Sequence, residues 1–227
     1  MLDLAKAVFW CLCTLAVYVL ARRIHRAKGR WWSSPLLVTW LGCGLLIVTC
    51  HATYKEYLSG THWLVWLLGP ATVAFAIPIH RHREMIRRHW ILLCLGVTVG
   101  SVLAVTSSWW MASFFDMEPQ LRASLLPRSV TTPLAMETSA RIGGLPELTA
   151  TFTALTGLFG AAIGETLLRF LPVKSSMARG ALFGMGAHGA GVAKALEMGQ
   201  EEGVVASLIM ILAGQFAIIV ATLMTML

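Results

Sequence analysis

The sequence predicts an all-α, polytopic transmembrane protein built around broken, re-entrant helices. Three observations carry that prediction. The 227 residues are 57% hydrophobic and only 13% charged, with a mean hydropathy of +0.71. A soluble domain carries about 25% charged residues, so half that level points to a solvent other than water. Several apolar runs reach the roughly 20 residues that cross a hydrocarbon core about 30 Å thick. Two further stretches of similar length are instead crowded with Pro, Gly and hydroxyl side chains. Residues 1–227 therefore read as a single integral membrane domain of about seven or eight hydrophobic segments, with no room for a separate soluble domain.

The first span runs from Leu4 to Ala21. Its basic cluster (Arg22, Arg23, Arg26, Lys28, Arg30) follows the apolar run, the reverse of a signal peptide. Retention of Lys and Arg in the cytoplasm then places the N-terminus outside and the Arg22–Trp32 loop inside. Pro35 to Cys50 is the second span, and His51 to His62 reads as a polar outside loop. Trp63 to Ile79 is a third apolar run, interrupted at Gly69-Pro70. A second basic loop, His80 to His89, carries Arg81, Arg83, Arg87 and Arg88. Trp90 to Phe115 is the fourth span, with Trp109 and Trp110 near its outer end, where indoles favour the interface. The net charge of +7 is accounted for by these short loops, and no folded basic surface for nucleic acid is expected. The five cysteines lie in or beside apolar runs without metal or redox spacing, so they read as small buried hydrophobes.

The second half is less regular. Residues 123–144 are partly apolar, Leu148 to Leu171 is a clear helix with a Gly157/Gly160/Gly164 stripe for close packing, residues 180–199 are glycine-rich, and Val204 to Leu227 is the last span. Hydropathy leaves open whether 123–144 and 180–199 cross or dip in and return. A hairpin at 123–144 places Lys174 and Arg179 inside, as the charge rule prefers, and a single crossing places them outside. A faint internal echo links residues 68–73 to 125–130 (L-x-P-x-[TS]-V), with Gly184 to Ala193 as a second candidate partner for the Pro70 segment. Interrupted segments at matching positions of two repeats point to a carrier's binding site.

Chemistry concentrates in two places. In Leu126-Pro-Arg-Ser-Val-Thr-Thr-Pro133, Pro127 and Pro133 break any helix, and broken backbone at membrane depth is tolerated only inside protein or along a wet cavity. Arg128 there suits a carboxylate, with Ser129, Thr131 and Thr132 as donors. The plainer alternative is an arginine snorkelling to the interface beside a shaped loop. In Gly184-Met-Gly-Ala-His-Gly-Ala-Gly191, Gly189 and Gly191 open the backbone around His188, which can bond a substrate or carry a proton; it can equally be a satisfied packing residue. Thr72, beside the helix-breaking Pro70, either faces the same cavity or bonds back to its own helix. Glu137 and Arg141 stand four apart, as a helix pair does; Glu165 and Glu197, Glu201 and Glu202 read as interfacial or solvated charges. No hydrolase, nucleotide or metal motif is present, so no enzyme, metal or cofactor is expected.

These segments resemble the LrgB/CidB family of bacterial membrane proteins. The resemblance rests on Leu68 to Pro78, Ser124 to Met136, Ile142 to Thr149, Ala178-Arg-Gly180, Ala187-His-Gly189, Lys194 to Glu197 and Glu202-Gly203. It covers about residues 63–227, whereas residues 1–62, two N-terminal spans, match in hydropathy alone. It implies a multi-pass protein of the bacterial inner membrane and two functions. One is a holin- or antiholin-like modulator of murein hydrolase activity and autolysis, with a smaller LrgA/CidA-type partner. The other is a carrier of small carboxylates such as glycolate, glycerate or pyruvate, as in the plastidic glycolate/glycerate translocator whose C-terminal half is similar to this chain. A carrier fits the residues better, as a homodimer working by alternating access, with a proton or sodium as coupling ion. Two departures stand out. Arg128 replaces the family's usual Lys, and Met185, Ala187 and Val192 replace three hydroxyl residues, which favours a less hydroxylated monocarboxylate.

Overall fold

The computed structural model describes residues 2–29, 33–74 and 76–226. Every regular element among them is a helix: α1 (Leu2–Lys28), α2 (Pro35–Thr49), α3 (Tyr54–Trp66), α4 (Leu68–Ala74), α5 (Ala76–Arg81), α6 (Arg83–Phe114), α7 (Pro119–Leu125), α8 (Thr132–Arg141), α9 (Pro146–Phe170), α10 (Ser176–Met198) and α11 (Gln200–Met226). The chain divides into two compact units, residues 1–71 and 72–227.

Among the described residues, five stretches are long and apolar enough to cross a membrane: Lys6–Lys28, Tyr54–Arg81, Arg83–Phe114, Pro146–Phe170 and Gln200–Met226, with Pro35–Thr49 as a shorter apolar helix. The chain is a multi-pass, all-α membrane protein. Residues 123–144 and 180–199, which hydropathy left open, are not among these spans.

In the first unit α1 packs against α2 and α3. Trp10 is buried and meets Tyr57 edge-on at 5.5 Å, while Thr14 and Tyr57 share a hydrogen bond of 3.1 Å. The Cys11 thiol donates to the Gly60 carbonyl at 3.0 Å. Two loops expected from sequence are helical instead. Arg22, Arg23, Arg26 and Lys28 extend α1, since Lys and Arg are good helix formers; Arg30 to Trp32 lie outside the described residues. The expected outside loop after His51 is α3, opened by a capping box in which Thr53 Oγ1 accepts from the Glu56 amide and Glu56 accepts from the Thr53 amide at 2.9 Å. The expected break at Gly69-Pro70 is also displaced. The turn falls at Leu67, and Pro70 sits in the first turn of α4, where its missing N–H has no intrahelical partner to lose. The echo between 68–73 and 125–130 has no structural counterpart, because the first is helical and the second is not.

The second unit has a clear order. Helix α6 packs on α11 through Leu93, Val97, Val205, Ile209 and Ala213, with Met85, Ile86, Met177 and Ala181 around them. One end of this unit therefore gathers the start of α6, the end of α9 and the start of α10; the other holds the end of α6, the start of α9 and the end of α11. Both irregular segments return to the end they came from. The segment 125–144 leaves α7 and comes back, so that the Leu145 amide donates to Ser124 Oγ at 2.7 Å. The α10 segment reverses at His188, whose φ is 35° and ψ −119°. After it Gly191 lies against the Phe183 carbonyl, and Lys194 reaches Glu165 near the end of α9 at 3.0 Å. Two hairpins thus dip from opposite ends, one after α6 and one after α9.

This arrangement predicts a labelling pattern. In a cysteine-free background, Glu118→Cys and Glu147→Cys are expected to react with an impermeant maleimide from one side, and Lys174→Cys and Gln200→Cys from the other. Opposite-side labelling within either pair would mean a single crossing.

Candidate functional site

The first hairpin is built by its prolines. After α7, the Arg128 amide bonds the Leu125 carbonyl and the Val130 amide the Pro127 carbonyl, so residues 126–131 form turns rather than helix. Pro133 falls in the first turn of α8, where proline is favoured, and Thr131 is its N-cap with extended backbone (φ −58°, ψ 140°). The amide end of α8 therefore faces the break, a place that favours negative charge. Val130, Leu134 and Ala135 hold the turn against Ala217 and Ile218 of α11.

Arg128 is half-buried at this turn. Its Nε donates to Ser108 Oγ at 2.8 Å and its Nη2 to Ser107 Oγ at 3.4 Å, both on α6. No carboxylate pairs with it among the described residues. Two hydroxyls thus orient the fork while its charge stays uncompensated, as an anion site requires. Arg141, by contrast, is paired with Glu137 at 2.7 Å, as its spacing predicts. Ser129 and Thr131 are buried beside Arg128 and Thr132 is partly so.

The second hairpin turns on His188 itself. Sequence reasoning put the break at Gly189 and Gly191; both lie beyond the turn, and the strained conformation falls on the histidine. A positive φ is uncommon for a residue with a Cβ and marks local strain. The ring is 6% exposed, rests on Gly157 of α9 and interacts with the Thr153 backbone. Its Nε2 is buried without a hydrogen-bond partner. Gly160 and Gly164 admit Gly186 and Phe183, so the expected small-residue stripe is where α9 receives the hairpin.

The two hairpins share one face of α9. Thr149 Oγ1 meets Ser124 O at 2.9 Å and Ser139 Oγ at 2.7 Å, tying the first hairpin to it. Gly157, two turns on, receives His188. Thr153 lies between them, fully buried, and its hydroxyl has no partner. An unpartnered buried polar group costs about 1–3 kcal/mol, and here there are two, the Thr153 hydroxyl on α9 and His188 Nε2 on the second hairpin. No hydrogen bond or ion pair joins Arg128, Ser129, Thr131 or Thr132 to His188 among the described residues, and α9 contacts both hairpins. Thr72 stands on α4.

A family model described as "LrgB-like family" matches residues 14–227. The chain belongs to the LrgB-like family. The match begins well before residue 63, where the motifs first became legible, and takes in the second N-terminal span and the later part of the first. Bacillus subtilis (strain 168) YwbG is 40% identical over 200 residues, 88% of this chain and 89% of its own length. Staphylococcus aureus (strain N315) "Holin-like protein CidB" is 31% identical over 210 residues, 92% of each chain. No solved structure matches.

Sequence reasoning found the LrgB-like motif residues Arg128, Ser129, Thr131, Thr132 and His188 and missed Ser107, Ser108, Ser124, Ser139, Thr149 and Thr153. Serine and threonine in apolar helices carry little signal on their own. The available one is spacing: Thr149, Thr153 and Gly157 continue the Gly160/Gly164 stripe upstream at helical intervals.

Proposed function

We propose that this LrgB-like protein carries small carboxylates across the bacterial inner membrane. The observation behind it is Arg128: a half-buried guanidinium held by Ser107 and Ser108, without an acidic partner, at a helix start that favours anions. Ser129, Thr131 and Thr132 would donate to the substrate, of the glycolate, glycerate or pyruvate kind, and His188 would bond it or pass on a coupling proton, sodium being the other candidate. Opposed hairpins give each side of the membrane its own gate, which suits alternating access. The end of the second unit bearing Arg83, Arg87, Arg88, Lys174 and Arg179 would face the cytoplasm and the N-terminus the outside. A homodimer would supply the fixed frame, and an LrgA/CidA-type protein is a candidate partner.

The second reading is a holin-like modulator of murein hydrolase export and autolysis. The name of the CidB relatives favours it over the carrier; Arg128, held by serines with no carboxylate partner among the described residues, favours the carrier.

The deciding experiment is uptake of labelled glycolate, glycerate, pyruvate and acetate into liposomes holding the purified protein, with and without a pH gradient. Saturable uptake of one of them is expected. Leakage of unrelated dyes without saturation would sink the carrier reading and leave the holin-like one.

A further inference from the structure

Many helical threonines of this protein satisfy themselves on their own helix, although Thr39 of α2, like Thr153, does not. Thr138, Thr151 and Thr222 each donate to the carbonyl four residues back, at 2.7, 3.1 and 2.8 Å. Thr166 does so at 3.4 Å. That bond needs nothing but the helix, and it is open to any helical threonine. Thr153 forgoes it although it is fully buried. Its hydroxyl therefore points away from its own helix's carbonyls, in the one turn of α9 that lies between the docking points of the two hairpins.

His188 shows the complementary deficit. The ring engages the Thr153 backbone and covers Gly157, and its Nε2 has no partner at 6% exposure. Two neighbouring residues, one on α9 and one at the turn of the second hairpin, thus each hold a buried polar atom that bonds nothing. Each can bond a further polar group.

We propose that Thr153 is a specificity-determining residue of the carrier site: its hydroxyl, with His188 Nε2, receives the oxygen substituent on the carbon next to the substrate carboxylate, while Arg128 receives the carboxylate. The inference rests on the carboxylate-carrier reading. It assigns substrate selection to α9, which the hairpin motifs do not include, and it explains how a site whose second hairpin carries Met185, Ala187 and Val192 can still hold a second polar group.

The test compares glycolate with acetate, which differ by that one oxygen, in wild type, Thr153→Val and Thr153→Ser. Valine keeps the shape and removes the hydroxyl. Thr153→Val is expected to lower the uptake efficiency for glycolate roughly tenfold or more relative to acetate, and Thr153→Ser to restore it. The melting temperature of unliganded Thr153→Val is expected to equal or exceed that of wild type, because an unpartnered buried hydroxyl has been removed. Glycolate added to the detergent-solubilised protein should raise the melting temperature of wild type and Thr153→Ser, but not of Thr153→Val. Equal losses for both acids, unchanged selectivity, or a less stable Thr153→Val would overturn the assignment. Glycolate stabilisation that needs Thr153, without any uptake, would leave the binding role standing and remove the carrier reading. Absence of both uptake and stabilisation in wild type would overturn both.

Discussion

Arg128→Ala is expected to lower saturable carboxylate uptake by about a hundredfold while the protein still assembles and inserts. A charge-assisted hydrogen bond to an anion contributes about 1.5–3 kcal/mol, which is one to two orders of magnitude in binding, and a bidentate guanidinium contact is at the upper end. Stability should suffer little. Arg128 has no carboxylate partner to strand, and its loss leaves only the Ser107 and Ser108 hydroxyls, which can turn back to their own helix; Ser107 and Ser108 both already do so, to Ala104 at 3.0 and 2.7 Å. Arg128→Lys keeps the charge without the planar fork and should fall between the two. Reconstituted flux beside size-exclusion chromatography checks all three. A holin-like protein gives the opposite result: its hydrolase-related phenotype should be nearly indifferent to Arg128→Ala, since lesion formation does not need an oriented cation.

A large stability effect is expected at Gly184. A Cβ built there would stand 2.8 Å from Ala206 Cα, with the Ala206 carbonyl oxygen closer still. Backbone cannot step aside as a flexible side chain does, so Gly184→Ala must push the second hairpin off α11. Overpacking of this kind costs about 1–3 kcal/mol, or roughly 2–12 °C in melting temperature for a chain this size. Gly186 lies two residues away, and a Cβ there meets nothing within 4 Å. Gly186→Ala should therefore be neutral or slightly stabilising through better helix propensity. A thermal-shift comparison of the two variants separates close packing from a general need for glycine. Similar melting temperatures would refute the packing account.

Much of this was legible in the sequence, for identifiable reasons. Two prolines six residues apart admit no continuous helix, so the break around Arg128 could be read directly. The Gly157/Gly160/Gly164 stripe announced a close approach because nothing else in a span explains three small residues on one face. The turn at His188 could not be read, since it strains a non-glycine residue while adjacent glycines stay free. Composition pointed to Gly189 and Gly191; the geometry chose the histidine. The helix after Thr53 was legible and overlooked: Thr53 and Glu56 form the capping pattern, but the polarity of residues 51–62 outweighed it. The orientation of Ser107 and Ser108 toward Arg128 depends on the tertiary fold and leaves no local trace.

The order of elements along the chain has a biosynthetic consequence. Half of the most apolar window of α11 is buried, and it covers Gly180 and Gly184 of the second hairpin and Leu134 of the first. It also follows every other helix of its unit. A ribosome delivering this chain to the membrane would thus release both polar hairpins before their shared cover exists. Until α11 arrives, Arg128 and His188 must wait at the lipid boundary or in the insertion machinery. Assembly of the site is then a late, concerted event, and a premature stop ahead of α11 would leave a protein with its spans in place and its polar interior never enclosed.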